Sequence, residues 1–132
     1  MPVQALEHVT IRCADLKATR DFYVGLGLAD GARPDFPFRG HWLYLGGIAV
    51  VHLVDAQDKG SAWGGAPGAA VADTGPFDHV AFRGDDFGRM RGMLADAGVT
   101  FRERVVPGGE LSQIFVRDPD GVLVEINFRT GA

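Results

Sequence analysis

Cysteine is nearly absent: a single thiol, Cys13, in 132 residues rules out an internal disulfide, so the fold must be held by a core and not by a crosslink. Long apolar runs are missing too. No stretch is long enough for a membrane-spanning helix and none at the N-terminus resembles a secretion signal, so a cytoplasmic protein without a membrane partner is expected. Positive charge is in deficit, with thirteen Lys and Arg against seventeen Asp and Glu, and the cations are scattered. No basic stripe follows a phosphate backbone, which argues against nucleic acid as a partner. What is present is a hydrophobic content of 46%, enough for one globular domain, broken by nineteen glycines and seven prolines that cluster between apolar runs as turns do. Many short elements are implied.

Displacing the sequence by 71 residues lays Leu6-Glu7-His8-Val9-Thr10-Ile11-Arg12 over Phe77-Asp78-His79-Val80-Ala81-Phe82-Arg83. With no gap, Asp15 then meets Asp86, Arg20 meets Arg91 and Gly27 meets Gly98. Agreement at cap and turn residues as well as apolar ones marks duplication of one supersecondary unit. Residues 6–13 and 77–83 alternate as half-buried strands do. Asp15 and Asp86 follow as helix N-caps, and Gly25, Gly27 and Gly98 as helix ends. The helices so bounded carry apolar stripes of Leu16, Phe22, Tyr23 and Leu26, and of Phe87, Met90, Leu94 and Ala97. Three further strands are expected after each helix, at 29–33, 42–45 and 48–54 and at 100–105, 113–117 and 122–128. The turn Asp118-Pro119-Asp120-Gly121 joins the last two. The expected fold class is therefore α+β, two βαβββ modules over 1–58 and 77–129, separated by a Gly- and Ala-rich linker at 59–76.

Side chains alternate along a strand, so His8, Thr10 and Arg12 share one face, as do His79, Ala81 and Arg83, and Glu125 and Asn127. Apolar residues take the opposite face, which makes Cys13 a core residue in preference to a nucleophile. Taken singly, each histidine would be an ordinary hydrogen-bonded imidazole and Glu125 a solvated carboxylate. The repeat makes them a set: modules paired about a pseudo-two-fold axis bring His8 and His79 together, and a terminal strand adds Glu125. Two imidazoles and one carboxylate suit Fe2+, Mn2+, Ni2+, Co2+ or Zn2+, with coordination positions left open. His52, in Val51-His52-Leu53, is the internal counterpart of Glu125 in Val124-Glu125-Ile126. It is either a fourth ligand or a substrate-facing imidazole. A two-residue turn at Gly46-Gly47 would set His41 opposite His52 on the same face, as a proton carrier or simply a strand-edge residue. Arg12 and Arg83 close equivalent strands and suit an anionic substrate, while Trp42, Tyr44 and Phe115 are either a lining for an apolar one or core.

Four stretches carry a family likeness: Leu6-Glu7-His8-Val9-Thr10-Ile11; Asp21-Phe22-Tyr23 with Gly25-Leu26-Gly27-Leu28; Phe77-Asp78-His79-Val80-Ala81-Phe82; and Ile114 to Glu125. In these the chain resembles the glyoxalase, bleomycin-resistance and extradiol-dioxygenase group, the vicinal oxygen chelate superfamily. The resemblance implies paired βαβββ modules forming a curved mixed sheet or partial barrel around a metal, usually in a homodimer. It places His8, His79 and Glu125 at metal-ligand positions, and His52 where glyoxalase I enzymes and epimerases have a fourth ligand. The activity it implies is that of a lyase, isomerase or ring-cleaving dioxygenase whose substrate chelates the metal through adjacent oxygens. The alternative is a non-catalytic protein that sequesters a drug or metabolite, as bleomycin-resistance members do. The sequence departs from glyoxalase I in having His52 in place of a Glu. It departs from extradiol dioxygenases and fosfomycin-modifying transferases in having Phe115 in place of a Tyr, although Thr10 is similar to the fosfomycin group and is counted among the substrate-facing residues.

Overall fold

An aspartate fixes each strand-to-helix turn. Asp15 accepts a hydrogen bond from the Ala18 amide and Asp86 one from the Arg89 amide, each at 3.1 Å, which satisfies first-turn donors that a helix leaves unpaired. Strand β1 (Val9–Cys13) thereby enters helix α1 (Leu16–Leu26). Helix α1 stops at Gly27, whose φ of 119° lets its amide turn back to the Tyr23 and Val24 carbonyls. Three strands follow, β2 (Ala29–Gly31), β3 (Gly40–Leu45) and β4 (Ile48–Asp55). The pattern then repeats as β5 (His79–Arg83), α2 (Phe87–Asp96), β6 (Phe101–Val105), β7 (Leu111–Arg117) and β8 (Leu123–Arg129). This computed structural model describes residues 2, 4–58, 74, 77–106 and 108–129, so the expected linker at 59–76 lies, apart from Thr74 described alone, outside the described residues.

The chain divides into two units, Met1–Val71 and Ala72–Ala132, each with one βαβββ module. The sheet of the first has the order β1-β4-β3-β2 and that of the second β5-β8-β7-β6. In both, the first and last strands of the module pair in parallel and the others pair antiparallel, so each unit is an open mixed sheet of the expected α+β class. The registers are equivalent. Thr10 lies opposite His52, and Ala81 opposite Glu125.

In each unit the core collects on the helix-covered side of the sheet. In the first unit Ile11, Cys13, Leu43, Val51 and Leu53 are buried together with Thr19 and Tyr23 of α1. In the second, Ile114, Val116, Val124, Ile126 and Phe128 are buried, and Phe87 of α2 meets Phe128 edge to face at 5.5 Å. Two details depart from expectation. Strand β2 ends at Gly31, because Arg33 turns to donate to the Phe38 carbonyl (2.9 Å) and the Gly40 carbonyl (3.3 Å), gathering the loop into a knot with Phe36 and Phe38 stacked against the guanidinium. Ala97 is exposed at the end of α2, and Leu94 is that helix's buried residue.

Candidate functional site

The uncovered face of the first sheet carries a stack of three rings. His8 lies on His52 with centroids 3.7 Å apart, and His52 on Trp42 at 4.1 Å, the planes inclined by only 12° and 13°. The stack depends on a bulge between β3 and β4. The Gly46-Gly47 turn pairs Leu45 with Ile48 and Tyr44 with Ala49, but a register shift at Leu43/Tyr44 then sets Trp42, and not His41, opposite His52. This corrects the expected place of His41. One inserted residue moves it opposite Leu53, where its Nδ1 meets Asp30 Oδ2 at 3.1 Å, and the basis for pairing it with His52 is lost. Thr10 is exposed beside His52, and Arg12, opposite Val54, is half-buried.

Hydrogen bonds orient the two imidazole rings. His52 Nε2 lies 3.1 Å from the Ala49 carbonyl, which can only accept, so the proton is on Nε2 and the lone pair on Nδ1. Burial strips water from this ring and the neighbouring His8 repels a second positive charge, so the His52 pKa is lowered from the ordinary 6.5. His8 turns the other way: Nδ1 lies 3.0 Å from the Glu7 carboxylate, so Nε2 points away from Glu7.

The uncovered face of the second sheet repeats the device. His79 Nδ1 lies 2.8 Å from Asp78 Oδ2, which turns Nε2 toward Glu125 Oε1 at 3.4 Å. Glu125 Oε2 is fixed separately by the Asn127 amide at 2.8 Å. The chain of contacts continues outward, Gln113 donating to Asn127 at 3.0 Å and Arg104 donating to Gln113 at 2.8 Å. Phe115 lies opposite Glu125 on β7, and Arg83, exposed, opposite Asn127 on β5. A pocket of about 570 Å³ opens over this face, lined among others by His79, Arg102, Arg104, Phe115 and Glu125.

The second-unit pair fits a metal ion. His79 Nε2 and Glu125 Oε1 face each other at 3.4 Å, long for a hydrogen bond. Donors 2.0–2.1 Å from a shared tetrahedral ion would be separated by roughly 3.3–3.4 Å. The carboxylate on Nδ1 is the usual companion of a metal-binding histidine. Among the described residues, neither unit gathers three such donors by itself.

Sequence reasoning missed several residues here. Glu7 and Asp78 stand in equivalent places before the two histidines and are visible in the repeat itself. Gln113, 5% exposed, and the pair Arg102 and Arg104 share their face with Phe115 and Glu125 by simple alternation.

Comparison with known proteins identifies the family and the fold. The family described as Glyoxalase/Bleomycin resistance protein/Dioxygenase superfamily matches residues 5–126. Over 126 residues the chain is 29% identical to "Glyoxylase I 4" of Arabidopsis thaliana, spanning 92% of this chain and 69% of that protein. Among solved structures it is similar to a glyoxalase/dioxygenase from Nostoc punctiforme, with a TM-score of 0.75 and 18% identity over 96% of this chain and 91% of that one. A lactoylglutathione lyase from Agrobacterium tumefaciens gives a TM-score of 0.69 and 22% identity over 97% and 96%. At these identities the structural likeness is one of fold alone.

Proposed function

Because the chain belongs to the Glyoxalase/Bleomycin resistance protein/Dioxygenase superfamily, we propose that it is a metal-dependent enzyme in which His8, His79 and Glu125 hold one divalent ion. Its substrate is a small molecule with two adjacent oxygens. The observation that carries this reading is the pair His79 Nε2 and Glu125 Oε1, facing each other at 3.4 Å, with the His79 ring and the Glu125 carboxylate each held by a further hydrogen bond. Fe2+, Mn2+, Ni2+, Co2+ and Zn2+ all suit this nitrogen and oxygen set. Such an ion, when bound, supplies a Lewis acid that stabilises an oxyanion or enolate on the substrate.

The remaining roles fall to the chain's own residues. Glu7 and Asp78 hold the His8 and His79 rings with Nε2 forward, and Asn127 holds Glu125. His52, with its Nδ1 lone pair and lowered pKa, accepts a proton from the substrate; as a fourth ligand it would have to use that same atom. Trp42 and Phe115 guide the substrate's apolar part. Proton transfer at His52 favours lyase or isomerase chemistry, which the printed name of the Arabidopsis relative also supports. A homodimer is part of the proposal.

The test is metal content after stripping and reloading. One ion per chain supports the reading. Less than one per two chains, together with a tight small-molecule complex that needs no metal, would replace it with a sequestering protein.

A further inference from the structure

Two guanidinium groups line one pocket without pairing to any of the three carboxylates, Asp78, Glu103 and Glu125, that line it with them. Arg102 and Arg104 are two residues apart on the edge strand β6, so they project from the same side of the sheet, and both lie over the Phe115 ring, at 5.4 and 5.5 Å. Arg104 is anchored through Nε to Gln113, which orients its remaining nitrogens. Among the described residues neither arginine has an ion-pair partner, because the acids nearby are engaged elsewhere. Glu103 reaches across to Arg91 of α2 at 3.4 Å, Asp78 holds His79, and Glu125 is bound by Asn127. Like charges held over one ring repel, and an anion placed between them relieves that repulsion.

We propose that Arg102 and Arg104 form a clamp for the acid group of the ligand, a carboxylate or a phosphonate, whose apolar body lies against Phe115 and Leu123 in the 570 Å³ pocket. Glu125, Phe115 and Arg102 are successive across β8, β7 and β6. The clamp therefore stands two strand spacings, roughly 10 Å, from the Glu125 backbone. That spacing selects a short molecule with an acid group at one end and chelating oxygens at the other. The inference refines the proposed function, since His79 and Glu125 line the same pocket, but the clamp itself needs no metal.

The experiment is calorimetric titration of the metal-free protein with phenylphosphonate, benzoate and the uncharged benzamide. At least one acid binds, with the stronger of the two naming the group, and benzamide does not. Arg102→Gln and Arg104→Gln, each with an unchanged far-ultraviolet dichroism spectrum, weaken that binding by about tenfold or more. The clamp is overturned if neither acid binds, if benzamide binds equally well, or if both variants bind as the parent does. Because no metal is present in the titration, a failed clamp leaves the metal reading standing, and a protein that takes up no metal leaves the clamp standing.

Discussion

Asn127 grips one oxygen of Glu125 while His79 faces the other: Nδ2 of Asn127 donates to Oε2 at 2.8 Å, and His79 Nε2 stands 3.4 Å from Oε1. Glu125 is thus oriented before any ligand arrives. Asn127→Ala should weaken divalent-metal binding by about 10–100-fold, the usual cost of losing a partner that orients a ligand. The fold should lose only about 0.5–1.5 kcal/mol. Competition with a chelator measures the first and urea unfolding the second. An unchanged metal affinity would show that Glu125 needs no such support.

His52 makes stability depend on pH. Its folded pKa is lowered, first by burial and then by His8, so the folded state takes up a proton less readily than the unfolded chain. The contribution is complete above the unfolded value near 6.5 and is lost as pH falls through the lower folded value. Urea unfolding of the metal-free protein at pH 7.5 and 5.5 should show wild type losing more stability on acidification than His52→Gln. Equal losses would remove His52 as a source of the pH dependence.

Gly40 is required by its neighbour. A Cβ there would stand 2.3 Å from the Leu53 carbonyl oxygen, a backbone atom that cannot move aside without parting β3 from β4. Gly40→Ala should cost about 2–3 kcal/mol or more, as overpacking does, and should disturb the nearby Trp42–His52 stack. Thermal unfolding and the tryptophan emission of the folded state report the two effects.

The two capping aspartates should not respond alike. Asp15 is extended at φ −127°, whereas Asp86 is left-handed at φ 58°. Alanine at position 15 loses only the cap, about 1 kcal/mol. At position 86 it also bears the left-handed backbone, roughly 1–2 kcal/mol more. Asp86→Gly should recover most of that difference. Comparable losses for Asp15→Ala and Asp86→Ala in urea unfolding would refute the distinction.

The repeat made the module plan legible, because His8 and His79, Asp15 and Asp86, and Gly27 and Gly98 each recur at one offset. Strand alternation then set Glu125 and Asn127 on one face of β8. Register beyond the Gly46-Gly47 turn was not legible. A two-residue turn fixes pairing only until a bulge intervenes, and the one at Leu43/Tyr44 exchanges His41 for Trp42. Gln113 was missed for a different reason. A polar residue in a strand reads as solvent-facing unless its partners are known, and Asn127 and Arg104 lie on two other strands. In β6 alternation sets Arg102 and Arg104 on one face, but which β7 residue they meet depends on the strand register, which brings both over Phe115.

The central claim is that His8, His79 and Glu125 hold a divalent ion, and metal content of single-donor variants tests it most directly. His8→Ala, in the first unit, and Glu125→Ala, in the second, should each abolish stoichiometric metal binding while circular dichroism remains that of the folded protein. Full metal content in either variant would contradict that ligand set.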